Sequence, residues 1–486
     1  MGEENIIREP LLKKKYYENC PGCKVDLAKE QNPRLSIPNL LIIWMVVISA
    51  SLPVSSLFPY LYFMVKDFNI AENEASISSY AGYVGSAYLL GRTLTSALWG
   101  LIADRYGRKP ALLLGVMSVV IFNTLFGLST NFWMALIMRF LLGSLCGVLG
   151  PVKAYASEIF REEHQSIGIS TVSAAWGIGL IIGPALGGYL AQPVEKYPNL
   201  FLKGSFWDKF PYFLPCIIIS VLAFAASIVC FWIPETLHKH NDGNKSTDEA
   251  EALENEGVGT EKDKIVKKKE NIFLNGPLMA SVLVYSIYSL QDICYQEVFS
   301  LWAVSPRQLG GLSYTTDDVG NVLSISGFAL IIFQVCAYPF IEKAFGLTIT
   351  TRVAAAFAIP CIQILPFVAM FSGAVLFILI SIASVLKMVL GMAVTTGLFL
   401  IQNRVVEQHQ RGEANGIAMT SMSLFTAIGP ATGGALLSWS QTRMDASFLP
   451  GTHMVFFIIN IISVVGLVSL IAFVRDKKKT SSDEQN

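Results

Sequence analysis

Apolar runs of about twenty residues follow one another along this chain, separated by short polar links. They fall at residues 37–60, 76–101, 110–128, 132–152, 168–191 and 210–233, and again at 272–298, 318–340, 348–371, 374–401, 412–437 and 452–474. At 1.5 Å of rise per residue each run crosses the roughly 30 Å core of a bilayer. The pattern predicts an all-α integral membrane protein with twelve transmembrane helices in two groups of six. Residues 234–271, between the groups, are rich in charge and nearly free of large apolar side chains. Such a segment cannot bury enough surface to fold, and it is expected to be a disordered linker. The organisation read from the pattern is a tail (1–36), a six-helix bundle (37–233), the linker (234–271), a second six-helix bundle (272–474) and a short tail (475–486).

Composition removes the alternative that 486 residues form several soluble domains. Hydrophobic residues make up 53% and charged residues 15%, against roughly 25% charge in soluble proteins, and mean hydropathy is +0.51. Lys+Arg and Asp+Glu both number 36, so no net field attracts nucleic acid. Cys146, Cys216, Cys230, Cys294, Cys336 and Cys361 lie in apolar runs and read as packing residues, with no disulfide framework. The N-terminus lacks a cleavable signal, so the first span is expected to act as an uncleaved targeting helix. Lys and Arg gather before span one, between spans two and three, in the linker and after span twelve. That bias predicts cytosolic termini and linker. Loop five–six, with Lys196, Lys203 and Lys209, runs against it.

The halves repeat. Span five carries Gly183-Pro184-x-x-Gly187-Gly188 and span eleven Gly429-Pro430-x-x-Gly433-Gly434. Span four carries Arg139-x-x-Leu142-Gly143 and span ten Lys387-x-x-Leu390-Gly391. Asp104-Arg105-x-Gly107 after span two is echoed by Glu342-Lys343-x-x-Gly346 after span eight. Three pairs in the same order point to duplication, and a parallel repeat with a site between its halves is a transporter architecture.

Gly100-x-x-x-Asp104-Arg105-x-Gly107-Arg108-Lys109 resembles the loop two–three motif of the major facilitator superfamily. Gly179, Gly183-Pro184 and Gly187-Gly188, preceded by Ser170 where a glycine is expected, are similar to that superfamily's antiporter motif. Cys20-Pro21-Gly22-Cys23, Trp99-Gly100, His238-Lys239-His240 and the run Glu297–Val304 resemble the plant zinc-induced facilitator family. The resemblance implies a major facilitator fold and a proton-coupled antiporter that exports a small organic solute. A metal chelator of the nicotianamine or phytosiderophore type, with a role in zinc and iron homeostasis, is the solute it implies. An organic-anion, hormone or potassium carrier of the same fold stays open, as does a non-transporting sensor. No nucleotide loop, metalloprotease helix or nucleophile elbow appears in the sequence, so an enzyme is not expected. The driving force is expected to be the proton gradient without a cofactor, and the working unit a monomer in a lipid bilayer. The vacuolar membrane is the expected location, for which Glu9-Pro10-Leu11-Leu12 hints at a sorting signal; the plasma membrane stays open.

Within the spans, charge carries the most information, because a charged group at mid-bilayer costs about 2.5–3.5 kcal/mol on insertion scales. Arg92, Arg139 and Lys387 lie within spans two, four and ten, and Asp292 and Glu297 in the outer half of span seven. Asp292 and Glu297 are the candidates for proton coupling; their spacing of five sends them in different directions. Span one has no acid. Asp104 is expected in a gate contact that exists in one state only, with Arg105, Arg108 or a neighbouring helix N-terminus. Gly107 suits a tight turn. The glycines and Pro184 and Pro430 suit close helix packing. Cys20 and Cys23 have zinc-ligand spacing, but a closed structural site wants four ligands; His238 and His240 could supplement them, and a mobile tail is the plainer reading.

Overall fold

The computed structural model describes residues 17, 20–31, 36–161, 164–238, 276–406 and 411–483. Among them all regular structure is helical. Each of the twelve apolar runs forms a rod. Span one is Ile37–Ser55, which contains Pro53, and resumes as Leu61–Asp67. Span two is Glu74–Tyr106. Span three runs from Arg108–Ser118 through a π-helical turn at Val119–Asn123 to Thr124–Gly127. Span four is Phe132–Leu145 and Leu149–Ile159, span five Gln165–Leu190, and span six Phe213–Cys230. Span seven is Gly276–Val304, and span eight joins Thr316–Ile332 to Tyr338–Phe345 through a second π-helical turn. Spans nine to twelve are Leu347–Gln363 with Leu365–Val368, Gly373–Asn403, Arg411–Gln441 and Thr452–Asp483.

Ten of these rods are long and apolar enough to cross a membrane. The other two, spans two and eleven, are long enough at 33 and 31 residues but more polar. Their polarity has a packing reason: they lie against each other across the junction of the two halves, where protein covers part of each helix surface. Spans five and eight form the matching junction. Gly107 (φ +121°) and Gly346 (φ +79°) make the corresponding tight turns in the two halves. There a side chain would be strained, which is why glycine holds both places.

Burial shows which face is closed. One buried apolar cluster draws on both halves, with Leu57, Tyr60 and Val84 joined by Phe299, Trp302 and Phe456. It lies on the face away from the loop two–three motif. Toward the motif face the cores are separate, one around Ile43, Val116 and Tyr155 and another around Leu278, Ala355 and Leu398. The halves are joined on the far face and have independent cores on the motif face.

Two segments expected to be tails or linker carry order. Pro21–Gln31 is a helix, and residues 234–238 pack beside it, with the Gly22 N–H donating to the Leu237 carbonyl at 3.3 Å. The tail and the linker start therefore share one face. Residues 239–275, including His240, and the Glu9–Leu12 stretch lie outside the described residues.

Candidate functional site

The seam glycines follow the repeat. A Cβ added to Gly188 would stand 2.7 Å from the Thr316 carbonyl oxygen and 3.0 Å from the Gly320 Cα, and one on Gly320 2.8 Å from the Pro184 carbonyl oxygen. In the symmetry-related seam, a Cβ on Gly82 would collide with the Pro430 carbonyl and stand 3.1 Å from the Gly434 Cα. Two glycine pairs thus let helix backbones from opposite halves touch. Gly179, Gly183 and Gly187 form a second stripe, whose missing side chains admit Ser51, Ser55 and Ser56 of span one. Gly429 and Gly433 do the same for Ile293 and Cys294 of span seven. Ser55 Oγ donates to the Gly179 carbonyl at 2.8 Å.

Hydrogen bonds extend these seams. Ser78 meets Gln441 at 3.5 Å, Ser86 Oγ accepts from the Ala431 N–H at 2.7 Å, and Thr93 Oγ donates to the Ser423 carbonyl at 3.1 Å. Ser324 Oγ donates to the Ile181 carbonyl at 3.0 Å. Lys196, from loop five–six, completes the far face by pairing with Asp317 and bonding Thr316 and the Gly188 carbonyl. Burial pulls the Lys196 ammonium below the ordinary lysine range, and Asp317 pulls it back only in part. Of the three lysines that run against the positive-charge pattern, this one bridges the two halves.

Between the seams sit the intramembrane charges. Arg139 is 2% exposed. It donates to the Pro53 carbonyl at 2.9 Å and lies 5.2 Å from the ring centres of both Tyr88 and Phe126. No carboxylate pairs with it among the described residues, and its Nε has no partner there. The break in span one after Ser55 leaves end-of-helix carbonyls for such a donor. Lys387, its repeat partner, is equally buried but pairs with Asp292 of span seven. The Lys387 ammonium also stands 3.9 Å from the Tyr295 ring centre, while Gln296 donates to the other Asp292 oxygen at 3.1 Å. Half-buried Arg92 lies 5.8 Å from the Trp176 ring of span five.

Glu297 is elsewhere, as the spacing of five required. It is 2% exposed and sits where span seven meets spans two and eleven. A Cβ on Gly85 would lie 3.2 Å from one of its carboxyl oxygens and 3.0 Å from the Pro430 side chain. Its Oε1 has no partner among the described residues, and neither have Gln291 Nε2 and Tyr295 Oη on the same helix. Asn123 and Gln363 are used in helix packing, against the Cys216 carbonyl at 2.9 Å and Asn460 at 3.1 Å.

On the motif face, Asp104 pairs with Arg108, and Arg108 also reaches Glu158 at the end of span four, at 2.9 Å. Arg105 rests near Tyr106, 5.8 Å from its ring centre, and a Cβ on Gly100 would meet nothing within 4 Å. Two acids that sequence reasoning missed organise this corner. Glu235 accepts from the Arg108 and Lys109 N–H groups at 2.9 and 3.1 Å, a carboxylate seated on the positive end of span three. Glu158 also accepts from Thr236 Oγ at 2.5 Å. The only sequence signal was a Pro-Glu-Thr placed where the chain leaves span six. Beside this corner Cys20, Cys23 and His238 place their ligand atoms within 4.8 Å of one another.

Comparison with known proteins adds the following. Residues 43–410 match the Major Facilitator Superfamily. Protein zinc induced facilitator-like 1 of Arabidopsis thaliana is 53% identical over 470 residues, covering 96% of this chain and 98% of that protein. Protein zinc induced facilitator 1 of the same plant is 51% identical over 475 residues, covering 96% and 97%. Among solved structures, a D-xylose-proton symporter superimposes with a TM-score of 0.67 at 15% identity, over 90% of this chain and 97% of that one; this likeness concerns the fold.

Proposed function

The chain belongs to the major facilitator superfamily and, within it, to the zinc-induced facilitators, and from that premise we propose a proton-coupled antiporter that moves a small organic solute out of the cytosol. The substrate class we propose is a metal chelator with both carboxylate and amine groups, a solute in keeping with relatives whose names tie them to zinc. The Lys and Arg bias puts the motif face in the cytosol, and the destination is the vacuole.

One observation carries the coupling: Glu297 is buried, with an unpartnered carboxyl oxygen, where span seven meets the span two–eleven seam. Closing a seam over a carboxylate that has no ion pair among the described residues buries a charge, which costs several kcal/mol; closing it over a neutral acid costs less. In the proposed cycle the far-face contacts at Gly82–Gly434 and Gly188–Gly320 part, Glu297 takes up a proton, and the seams reclose around the neutral acid. The Lys387–Asp292 pair and Arg139 provide charge facing the substrate. The solute leaves as the proton enters, and each pH unit supplies about 1.4 kcal/mol per proton.

The test uses proteoliposomes with an imposed pH gradient and labelled chelates. Wild type should concentrate substrate, and a protonophore should abolish this. Glu297→Gln should retain substrate-for-substrate exchange and lose accumulation; accumulation by that variant would remove Glu297 from the coupling. An organic-anion carrier is the second reading, favoured by an Arg139 guanidinium that has no carboxylate partner among the described residues.

A further inference from the structure

The Cys20-Pro21-Gly22-Cys23 turn has no part in the cycle above, yet it is built into the protein. Both thiols are buried, at 1% and 5% exposure. Pro21 opens the tail helix, so Cys20 stands just before its first turn and Cys23 within it. Gly22 is the reason the linker can approach: a Cβ there would stand 2.8 Å from the His238 Cγ and Nδ1 and from the Thr236 carbonyl oxygen.

We propose that Cys20, Cys23 and His238 form a Zn²⁺ site that fastens the tail helix to the start of the linker beside the gating loop. His238 Nδ1 lies 3.8 Å from each sulfur. A zinc ion with Zn–S near 2.3 Å and Zn–N near 2.0–2.1 Å at tetrahedral angles holds sulfur and nitrogen about 3.6 Å apart. Each sulfur–nitrogen pair therefore already stands at about the separation that an ion between them imposes, and all three donor atoms lie within 4.8 Å of one another. The other ring nitrogen, Nε2, faces the Asp26 carboxylate at 3.5 Å. A carboxylate on the far nitrogen of a ligating imidazole fixes its tautomer and orientation and raises its basicity. Asp26 is itself held by Lys29 at 2.7 Å. A cavity of about 330 Å³ bordered by Gly22, Asp26, Glu158, Thr236 and His238 reaches the site on its histidine side, the side from which a water would enter as fourth ligand. Two thiolates and an imidazole suit Zn²⁺ far better than Mg²⁺ or Ca²⁺.

The site is wired to the gate through few bonds. His238 follows Glu235 and Thr236, whose side chains hold the Arg108 N–H and Glu158. Lys29 of the tail helix donates to the Glu158 carbonyl at 2.5 Å. Metal held between tail and linker thus stiffens the corner to which the span two–three loop is anchored. On the face that positive charge assigns to the cytosol, this makes a cytosolic zinc sensor built into the carrier.

Purified, metal-stripped full-length chain in nanodiscs would be titrated with Zn²⁺ against a competing chelator. Hydrogen exchange would be followed in residues 20–31 and 235–238. The expected result is one high-affinity Zn²⁺ per chain, with slower exchange in both segments once it binds. Cys20→Ser/Cys23→Ser should abolish high-affinity binding, and Asp26→Asn, which keeps every ligand, should weaken it about 10- to 100-fold. Unchanged affinity in the double variant overturns the site. Zinc bound without change in exchange overturns the clamp. Metal stoichiometry does not depend on the substrate, so these outcomes stand apart from the transport reading.

Discussion

The seams can be tested by adding one methyl group. In Gly82→Ala the new Cβ meets the Pro430 carbonyl oxygen far inside normal contact and lies 3.1 Å from the Gly434 Cα. Non-bonded carbon atoms are at ease at roughly 3.5–4.0 Å, so spans two and eleven must separate by about an ångström. Both opposing atoms are backbone, and neither can turn aside. Overpacking of this kind typically costs about 1–3 kcal/mol. The cost falls only on states with the far face closed, so it moves the equilibrium toward far-face-open states by roughly 5- to 150-fold. Gly320→Ala probes the symmetry-related seam more gently, since its Cβ would stand 2.8 Å from the Pro184 carbonyl oxygen and 3.2 Å from the Gly188 Cα. Gly150→Ala meets nothing within 4 Å and serves as control. The assay is alkylation, from the far face, of a single cysteine introduced at Ser78, with distance measurements between spin labels on the far ends of spans two and eleven. Accessibility should rise in the order Gly150→Ala, Gly320→Ala, Gly82→Ala. If Gly82→Ala leaves both accessibility and distance at wild-type values, the glycines are ordinary packing and the seam is not the gate.

Three further outcomes follow from named contacts. Asp292→Asn should abolish transport because it leaves Lys387 buried without its partner, a loss of about 3–5 kcal/mol; the double variant Asp292→Asn/Lys387→Met should recover folded yield in a thermal-melt comparison but not turnover. Removing the Lys196–Asp317 pair by Lys196→Met should loosen far-face closure by about 1 kcal/mol, roughly fivefold, since Asp317 is partly solvated and such pairs are modest; the same labelling assay reads it. Glu235→Gln should slow turnover and lower the melting temperature, because it removes the charge seated on the start of span three, worth about 0.3–1 kcal/mol; unchanged turnover would show that the corner is structural only.

The membrane fold was legible because hydropathy is a strong, local signal, and every apolar run became a helix. The repeat also exposed the seam glycines, since Gly188 and Gly434 occupy equivalent places against Gly320 and Gly82. Less legible were contacts whose partners are far apart in sequence. Arg108 and Glu158 are joined by the return of span four, and Glu235 reaches the same corner from the start of the linker. Their charges resemble any other positions at a membrane surface. In the Cys/His segment the ligand types were legible, with Cys20, Cys23, His238 and His240 as candidates, but their proximity was not. A pair of thiols looks like a mobile tail until the chain brings His238 back beside them.

The repeat is faithful in backbone packing and unfaithful in charge, and the difference divides the work between the halves. Both seams need the same close helix contact, so both keep glycine at the same places. Across the buried cations the halves part: Arg139 donates to the Pro53 carbonyl, whereas Lys387 pairs with the Asp292 carboxylate. A backbone carbonyl takes up no proton under physiological conditions, but a carboxylate does, and Asp292 and Glu297 both belong to span seven. In the proposed cycle, proton-linked chemistry is thereby confined to the C-terminal half. On the motif face the asymmetry reverses. The N-terminal loop is braced by Asp104, Glu158 and Glu235 around Arg108, whereas its echo shows an exposed Arg404 at 3.7 Å from Glu342. Exposed pairs contribute little and are screened by salt, so the more firmly braced loop lies in the N-terminal half, beside Cys20, Cys23 and His238. A duplicated chain has thus kept the glycines that close helix contact requires and changed the charges, where the proposed cycle asks one half to bind protons and the other to be held.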